Sequence, residues 1–226
     1  MELSPIAVMR SDFPTKFGIP RQSGLVEALR GYVVLEPDYA DPAALRGIEE
    51  FSHLWLVWGF SEAARQGWSP TVRPPRLGGN ARMGVFATRS PFRPNPLGLS
   101  CVKLLGVAAV DGRPALEVAG ADLMDGTPIY DIKPYLPYAD AHPEASSGFA
   151  GAVAMDALAV VIPPEWEARI PPDKRDALRG VLAGDPRPHY HNDPERVYGF
   201  GFAGLEIKFR VTDGTAIVCG VETAAL

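Results

Sequence analysis

The stretch EIKFRV, residues 206–211, alternates polar and apolar side chains, which is the pattern of a half-buried antiparallel strand. Similar short runs, many rich in β-branched or aromatic residues and bounded by Gly or Pro, recur along the chain. They cover residues 6–9, 31–35, 53–60, 84–88, 99–107, 115–118, 158–162 and 216–221. With 23 glycines and 23 prolines in 226 residues, the composition also favours turn-rich β structure.

Helix signals are few. Asp41 and Pro42 predict the start of a short helix that runs to Glu50, and residues 173–183 predict another that ends before Gly184. Because strands do not alternate regularly with helices, a doubly wound parallel sheet is disfavoured. We therefore expect a mostly β protein built on an antiparallel β-barrel, with a small α+β domain at the C-terminus.

The division between these domains is predicted near residue 162. Residues 139–151 are small and polar, and proline pairs at 163–164 and 171–172 interrupt the chain soon after them. We expect residues 1–162 to form the barrel and residues 163–226 to form the smaller domain.

The composition indicates a cytoplasmic protein without a membrane span or a resident metal. The best apolar run, Leu54 to Phe60, is far shorter than the about 20 residues that a spanning helix needs, and the N-terminus lacks the pattern of a signal peptide. Cys101 and Cys219 are too few for a disulfide scaffold, so we expect two buried thiols. No second cluster of metal-ligating residues accompanies His189 and His191.

The charge is unevenly distributed along the chain. Although the net charge is −5, residues 63–110 contain no Asp or Glu. The positive residues in this acid-free segment are Arg65, Arg73, Arg76, Arg82, Arg89, Arg93 and Lys103. Arginine grips phosphate or carboxylate with its planar fork, so the segment predicts a local phosphate contact. The alternative is a solvated loop whose arginines pair with acids elsewhere.

Two dense clusters carry most of the chemistry, residues 73–100 and residues 122–138. In the first, the prolines at 91, 94 and 96 stiffen the backbone and display Arg89, Arg93 and Asn95 on a turn between two strands. In the second, an extended stretch from Ile129 to Lys133 would place Asp131 and Lys133 on one face. A simple strand-end ion pair between those two is the alternative.

Long motifs in both clusters resemble the TsaA-like family of TrmO-type tRNA methyltransferases. They are RPPRLGGNARMGVFATRSPFRPNPLGLS at 73–100 and DGTPIYDIKPYLPY at 125–138, with FGIPRQ at 17–22, FSHLW at 51–55 and DPRPHY at 185–190. The resemblance implies an antiparallel β-barrel that binds S-adenosyl-L-methionine outside any Rossmann fold. It also implies a homodimer with cofactor near the subunit interface, which methylates N6 of threonylcarbamoyl-adenosine beside the anticodon of tRNA.

The same resemblance implies a set of cofactor-binding residues. They are Pro20, Arg21, Gln22, His53, Leu54, Arg89, Leu99, Leu123, Met124, Asp125, Gly126 and Thr127. Of these, Arg89 is the best charged candidate for the cofactor carboxylate, because a guanidinium binds a carboxylate by charge-assisted hydrogen bonds.

For the RNA and the reaction, we expect two further groups of residues. The arginines expected to hold RNA are Arg73, Arg76, Arg82, Arg93 and Arg187. Methyl transfer from a sulfonium needs positioning more than a nucleophilic side chain. Asp131 would accept the N6 proton, Tyr135 would orient the base and Lys133 would stabilise charge on the carbamoyl oxygen.

Two other functional classes fit the same residues. A non-catalytic nucleic-acid-binding β-barrel would use the arginines on phosphates and Tyr130, Tyr135 and Tyr138 to stack bases. A hydrolase would need Asp125 and Asp131 to face one cleft as an acid–base pair.

Overall fold

A computed structural model describes residues 2–61, 67–74, 81–151, 157–187 and 193–224. The strands in these ranges are β1 (Ala7–Arg10), β2 (Arg30–Leu35), β3 (His53–Gly59), β4 (Thr71–Val72), β5 (Met83–Gly84), β6 (Leu97–Val110), β7 (Arg113–Ala119), β8 (Pro128–Pro134), β9 (Ala159–Val161), β10 (Tyr198–Phe202), β11 (Leu205–Thr212) and β12 (Thr215–Thr223). The α-helices are α1 (Pro137–Asp140), α2 (Pro164–Glu167) and α3 (Arg175–Ala183).

Six of the strands form a closed antiparallel barrel in the order β1-β2-β7-β6-β3-β8, and β8 pairs with β1 to close the ring. Period-2 alternation places one face of each strand inside. Along β6, for example, Val102 and Leu104 are buried in the barrel core, whereas Leu99, Leu105 and Val107 are exposed outside. The prediction of a mostly β protein with an antiparallel barrel is thus confirmed.

The C-terminal residues form a second sheet in the order β10-β11-β12-β9, in which β9 runs parallel to β12. The helix α3 covers this sheet with the buried residues Leu178 and Leu182. The predicted helix at 173–183 is confirmed, with a 3-10 turn at Pro172–Lys174 before it. Because β9 belongs to this sheet, the sheet begins by residue 159, slightly before the predicted division at 162.

The segment between β1 and β2 packs into the core of the second sheet. Phe13, Val26 and Leu29 pack in the same cluster as residues of β10–β12 and α3. The rings of Phe13 and Phe202 lie 5.4 Å apart, centroid to centroid. The segment between β1 and β2 therefore belongs structurally to both halves of the molecule.

Three local expectations were wrong. Residues 84–88 do not form a strand, since a 3-10 turn at Val85–Ala87 follows the short β5. Residues 41–50 form two 3-10 turns, Pro42–Leu45 and Ile48–Glu50, instead of one helix, although the Asp41 carboxylate does cap the first. Of the two thiols, Cys101 is only half-buried and Cys219 is exposed.

Within the described ranges, no helix is both long and apolar enough to cross a membrane.

Candidate functional site

A cleft of about 350 Å³ opens at one end of the barrel, where β3 ends. It is lined by Lys16, Ile19, Pro20, Trp58, Gly59, Phe60, Ser61, Pro91, Phe92, Asp122, Leu123, Met124 and Thr127. Its lining is mainly apolar, and Asp122 is the one acid among the described residues that line it. Concave apolar sites with a few placed polar groups are typical of small-molecule binding.

A hydrogen-bonded chain of three side chains reaches into this cleft. Trp58 donates through Nε1–H to Ser100 Oγ at 2.9 Å, and Ser100 donates to Asp122 Oδ1 at 2.6 Å. Glycine at 98 permits the arrangement, because a Cβ there would overlap the Trp58 ring. Trp58 also packs edge-on against Phe60, with ring centroids 4.3 Å apart, so a pair of aromatic rings lines the same cleft as the carboxylate.

The environment of Asp122 shifts its pKa. Burial raises the pKa of this carboxyl, and the hydrogen bond from Ser100 and the positive charge of Arg89 only partly offset that effect. The carboxyl is therefore held at the cleft with a weakened preference for the charged form. A cationic or hydroxyl-bearing ligand would supply the charge or hydrogen bonds that favour ionisation.

The turn from Leu123 to Thr127 is pinned against β1. Gly126 N–H donates to Met9 O at 2.8 Å, and Thr127 Oγ1–H donates to Met124 O at 2.7 Å. Leu123, Met124 and Thr127, three of the predicted cofactor-binding residues, line the cleft. Asp125 and Gly126 are not among its lining residues.

The carboxylate of Asp125 contacts the last residue of β1, Arg10, and the next residue, Ser11. Its Oδ1 accepts from Ser11 N–H at 3.1 Å, and its Oδ2 lies 3.5 Å from Arg10. Asp131 pairs with Lys133 instead, and neither acid is among the residues that line the cleft. These contacts do not favour the acid–base pair that a hydrolase would need.

The segment at residues 20–22 reaches the same end of the barrel. Pro20 lines the cleft, and the Arg89 guanidinium donates to the Gln22 side-chain oxygen. The charge of Arg89 also acts on Asp122, so these side chains form one neighbourhood. Arg21, beside Gln22, is half-buried.

His53 and Tyr135 lie at the opposite end of β3 from the cleft. At about 3.3 Å per residue, the length of β3 separates His53 from Gly59 by about 20 Å. At the His53 end, Tyr135 packs against His53 and Trp55, with ring centroids 6.2 and 5.8 Å away. Tyr135 N–H also donates to His53 O at 2.9 Å.

Leu54 and Leu99 differ in orientation. The side chain of Leu54 is fully buried in the barrel core, whereas Leu99 is half exposed on the outer face. Asp131 and Lys133 share the outer face of β8 as predicted, and their side chains form an ion pair of 2.8 Å. That contact is the strand-end pair named as the alternative to catalysis.

The predicted RNA-binding arginines have different surroundings. Arg73 and Arg82 are exposed, and Arg76 lies outside the described residues. The guanidinium of Arg93 donates to Thr88 O at 2.6 Å and to Val85 O at 3.3 Å. Arg187 makes a two-pronged contact with Asp185, at 2.8 and 2.9 Å, which further raises the pKa of that guanidinium.

Sequence reasoning missed Asp122, Ser100, Trp58 and Phe60 as site residues. Asp122 stands between Ala121 and Leu123, and an acid within an apolar run was a usable signal of a carboxyl held in partly buried surroundings. Ser100 carried no such signal, because its role depends on contacts with residues 22 and 42 positions away.

Taken as a class, the molecule is a closed β-barrel joined to a second sheet, with an aromatic cleft at the barrel end. The model of the tRNA-methyltransferase O N-terminal domain matches residues 8–141, and that of the TrmO C-terminal domain matches residues 153–224. The chain belongs to the TrmO family.

Relatives and solved structures agree with this membership. The chain is 43% identical over 229 residues to the tRNA (adenine(37)-N6)-methyltransferase of Escherichia coli, covering 98% of this chain and 97% of the relative. It is 43% identical over 219 residues to the putative S-adenosylmethionine-dependent methyltransferase RcsF of Pseudomonas aeruginosa, covering 92% and 91%. A crystal structure of TrmO from P. aeruginosa superposes with a TM-score of 0.78 at 36% identity, covering 99% of this chain and 97% of that one.

Proposed function

We propose that this chain is an S-adenosyl-L-methionine-dependent tRNA methyltransferase that modifies N6 of adenine 37, with threonylcarbamoyl-adenosine as the substrate base. The observation that carries the proposal is the near full-length similarity to a tRNA (adenine(37)-N6)-methyltransferase combined with an aromatic cleft that contains one carboxylate. The relatives named as S-adenosylmethionine-dependent or S-adenosyl-L-methionine-binding proteins support the cofactor.

The donor set of the cleft fits this cofactor. S-adenosyl-L-methionine has a flat base, ribose hydroxyls, a cationic sulfur and amine, and a carboxylate. Trp58 and Phe60 offer aromatic surface, Asp122 suits a cationic or hydroxyl group, and Arg89 suits a carboxylate. When bound, the cofactor supplies an activated methyl group, and the cleft's contribution is to hold the reactants in a drier, fixed geometry.

The outer face of β8 is the proposed place for the substrate's acid–base chemistry. An N6 that carries a carbonyl substituent is a weak nucleophile, so removal of its proton should matter. We assign Asp131 as the group that accepts this proton. Tyr135 orients the base, and Lys133 stabilises charge on the carbamoyl oxygen. The ion pair between Asp131 and Lys133 competes with this role, and water would take the proton if the pair is only structural.

A homodimer would bring His53 and Tyr135, at the far end of β3, to a cleft. The cleft and the His53 end of β3 are about 20 Å apart in one chain, so one chain does not assemble them into one site. The outer face of β6 exposes the apolar side chains of Leu97, Leu99, Leu105 and Val107, a surface that a second copy could cover. We propose that one copy's His53 end completes the other copy's cleft, and that the dimer modifies tRNA in the cytoplasm.

The test measures methyl transfer from radiolabelled S-adenosyl-L-methionine. The acceptors are a tRNA that carries threonylcarbamoyl at adenine 37, the same tRNA without that group, and a transcript in which guanine replaces this adenine. Transfer confined to the first acceptor supports the full proposal. Equal transfer to the first two removes the threonylcarbamoyl requirement, and transfer to the guanine transcript contradicts the assigned position.

Calorimetric titration with S-adenosyl-L-methionine separates the proposal from its non-catalytic alternative. We expect heat of binding from the purified protein. A protein that binds tRNA but shows no binding of the cofactor would instead be the nucleic-acid-binding barrel considered above.

A further inference from the structure

Phe86 has an aromatic side chain that is largely exposed to solvent. It occupies the middle of the 3-10 turn Val85–Ala87 and is 74% exposed, although phenylalanine is among the residue types most often buried. None of the roles assigned above uses it. An exposed aromatic ring of this kind has a free apolar surface that a ligand can cover.

The turn that carries Phe86 is held firmly by its neighbours. Val85 is buried, and its N–H donates to Pro70 O at 3.0 Å. Thr88 donates to Val85 O through both its N–H and its Oγ1–H, at 3.1 and 2.9 Å. The guanidinium of Arg93 bridges Val85 O and Thr88 O, so the ring is presented on a fixed support.

Positive residues flank Phe86 in the sequence, and one of them contacts its ring. The Arg93 guanidinium carbon lies 5.9 Å from the centroid of the Phe86 ring, within the range of a cation–π contact. Arg82 and Arg89, on either side in the chain, are exposed, and the whole stretch 63–110 lacks acids. Trp68, which precedes β4, the partner strand of β5, is a second aromatic residue with 56% exposure.

Resting on the proposed function, we propose that Phe86 is a stacking platform for an unpaired base of the RNA. Basic grooves with exposed aromatics bind single-stranded nucleic acid, because the charges hold the backbone while the rings stack bases. A base in a duplex is already stacked and unavailable, so Phe86 contributes to binding of looped RNA and not of paired RNA. Charge favours RNA over a protein partner, since an acid-free arginine segment is complementary to phosphate.

The experiment measures binding of a fluorescent RNA hairpin with an unpaired loop and of a blunt duplex built from its stem. We expect Phe86→Ala to weaken hairpin binding roughly 5- to 150-fold, the range of one lost base–aromatic stack, and to leave duplex binding unchanged. Phe86→Tyr should retain parental affinity. Tyr39→Ala is the matched control, because Tyr39 is an exposed aromatic on the 3-10 turn Pro37–Tyr39 beside Glu36 and Asp38.

The salt dependence distinguishes stacking from loss of charge. Phe86→Ala should keep the parental slope of log affinity against log salt, whereas Arg73→Ala should reduce that slope by about one counterion. Unchanged hairpin affinity, or equal losses on hairpin and duplex, would overturn the inference. A change of oligomeric state in Phe86→Ala by light scattering would overturn it too, by making Phe86 a protein contact. If the parent binds neither RNA, the proposed function fails and the inference falls with it.

Discussion

Two carboxylates of the barrel lie in contrasting surroundings. Asp122 lines the cleft, where it accepts a hydrogen bond from the buried Ser100 and burial raises its pKa. Asp131 lies on the outer face of β8, where its carboxylate pairs with the exposed Lys133. The family resemblance directed attention to the second, whereas the perturbed environment belongs to the first. The comparison shows that a recognisable motif and a buried, hydrogen-bonded carboxyl need not coincide on the same residue.

The largest expected effect comes from Asp131→Asn, which tests whether the exposed carboxylate is more than an ion-pair partner. If Asp131 accepts the N6 proton, single-turnover methylation should slow by about 10²–10⁴-fold, with cofactor and tRNA both saturating. The control is Asp38→Asn, because Asp38 is an exposed acid distant from Asp131 in the sequence. A rate within about threefold of the parent would exclude Asp131 from proton transfer and leave the ion pair as its role.

Asp122→Asn tests the other side of the comparison. Removing the charge while keeping the shape should weaken S-adenosyl-L-methionine binding about 10- to 150-fold, because a charge-assisted contact contributes roughly 1.5–3 kcal/mol. Calorimetric titration measures it, with Asp38→Asn as the matched control. Parental affinity in Asp122→Asn would remove this carboxylate from the binding site.

The raised pKa of Asp122 also predicts how binding and stability depend on pH. A bound cation favours the ionised carboxylate, so affinity should increase with pH through the raised pKa, by up to about tenfold per unit. Without ligand, the sign for stability is opposite. The folded state keeps this proton where the unfolded chain has lost it, so the contribution to stability is present below the unfolded pKa and is lost as pH rises through the folded pKa.

Titrations in buffers of different ionisation enthalpy, repeated with Asp122→Asn, measure this linkage. In the parent, cation binding should release the Asp122 proton at pH values below the raised pKa. In the variant, binding should release no proton from this site, and stability should depend less on pH in the acid range. A variant with the parental pH profile would assign the dependence to another group.

The smallest effects concern the free energy of unfolding. Ser100→Ala should destabilise the protein by about 1–3 kcal/mol, because it leaves the Trp58 Nε1–H donor without its acceptor. Lys133→Ala should change the free energy of unfolding by less than about 1 kcal/mol, since the ion pair between Lys133 and Asp131 is exposed. Denaturant unfolding of both variants compares the two environments directly. Equal losses would contradict the distinction drawn between them.

The sequence by itself was sufficient for features that arise from short-range geometry. The alternation along EIKFRV predicts β11, and the two-residue spacing of Asp131 and Lys133 predicts their common face, because successive strand side chains point to opposite sides. The acid-free arginine segment is likewise visible without coordinates. The same local reasoning wrongly predicted a strand at residues 84–88. Contacts of Val85 with Pro70 and Arg93 favour a turn there over an extended strand.

Only the tertiary structure decided where the chemistry is concentrated. The chain from Trp58 through Ser100 to Asp122 joins residues separated by 42 and 22 positions, and it exists because β3 and β6 are neighbours in a closed barrel. The same closure sets which side chains are buried, and burial is what shifts the pKa of Asp122 while Asp131 stays in solvent. Residue type and spacing specify local direction, but desolvation and distant partners depend on which strands pair, and that is a property of the whole fold.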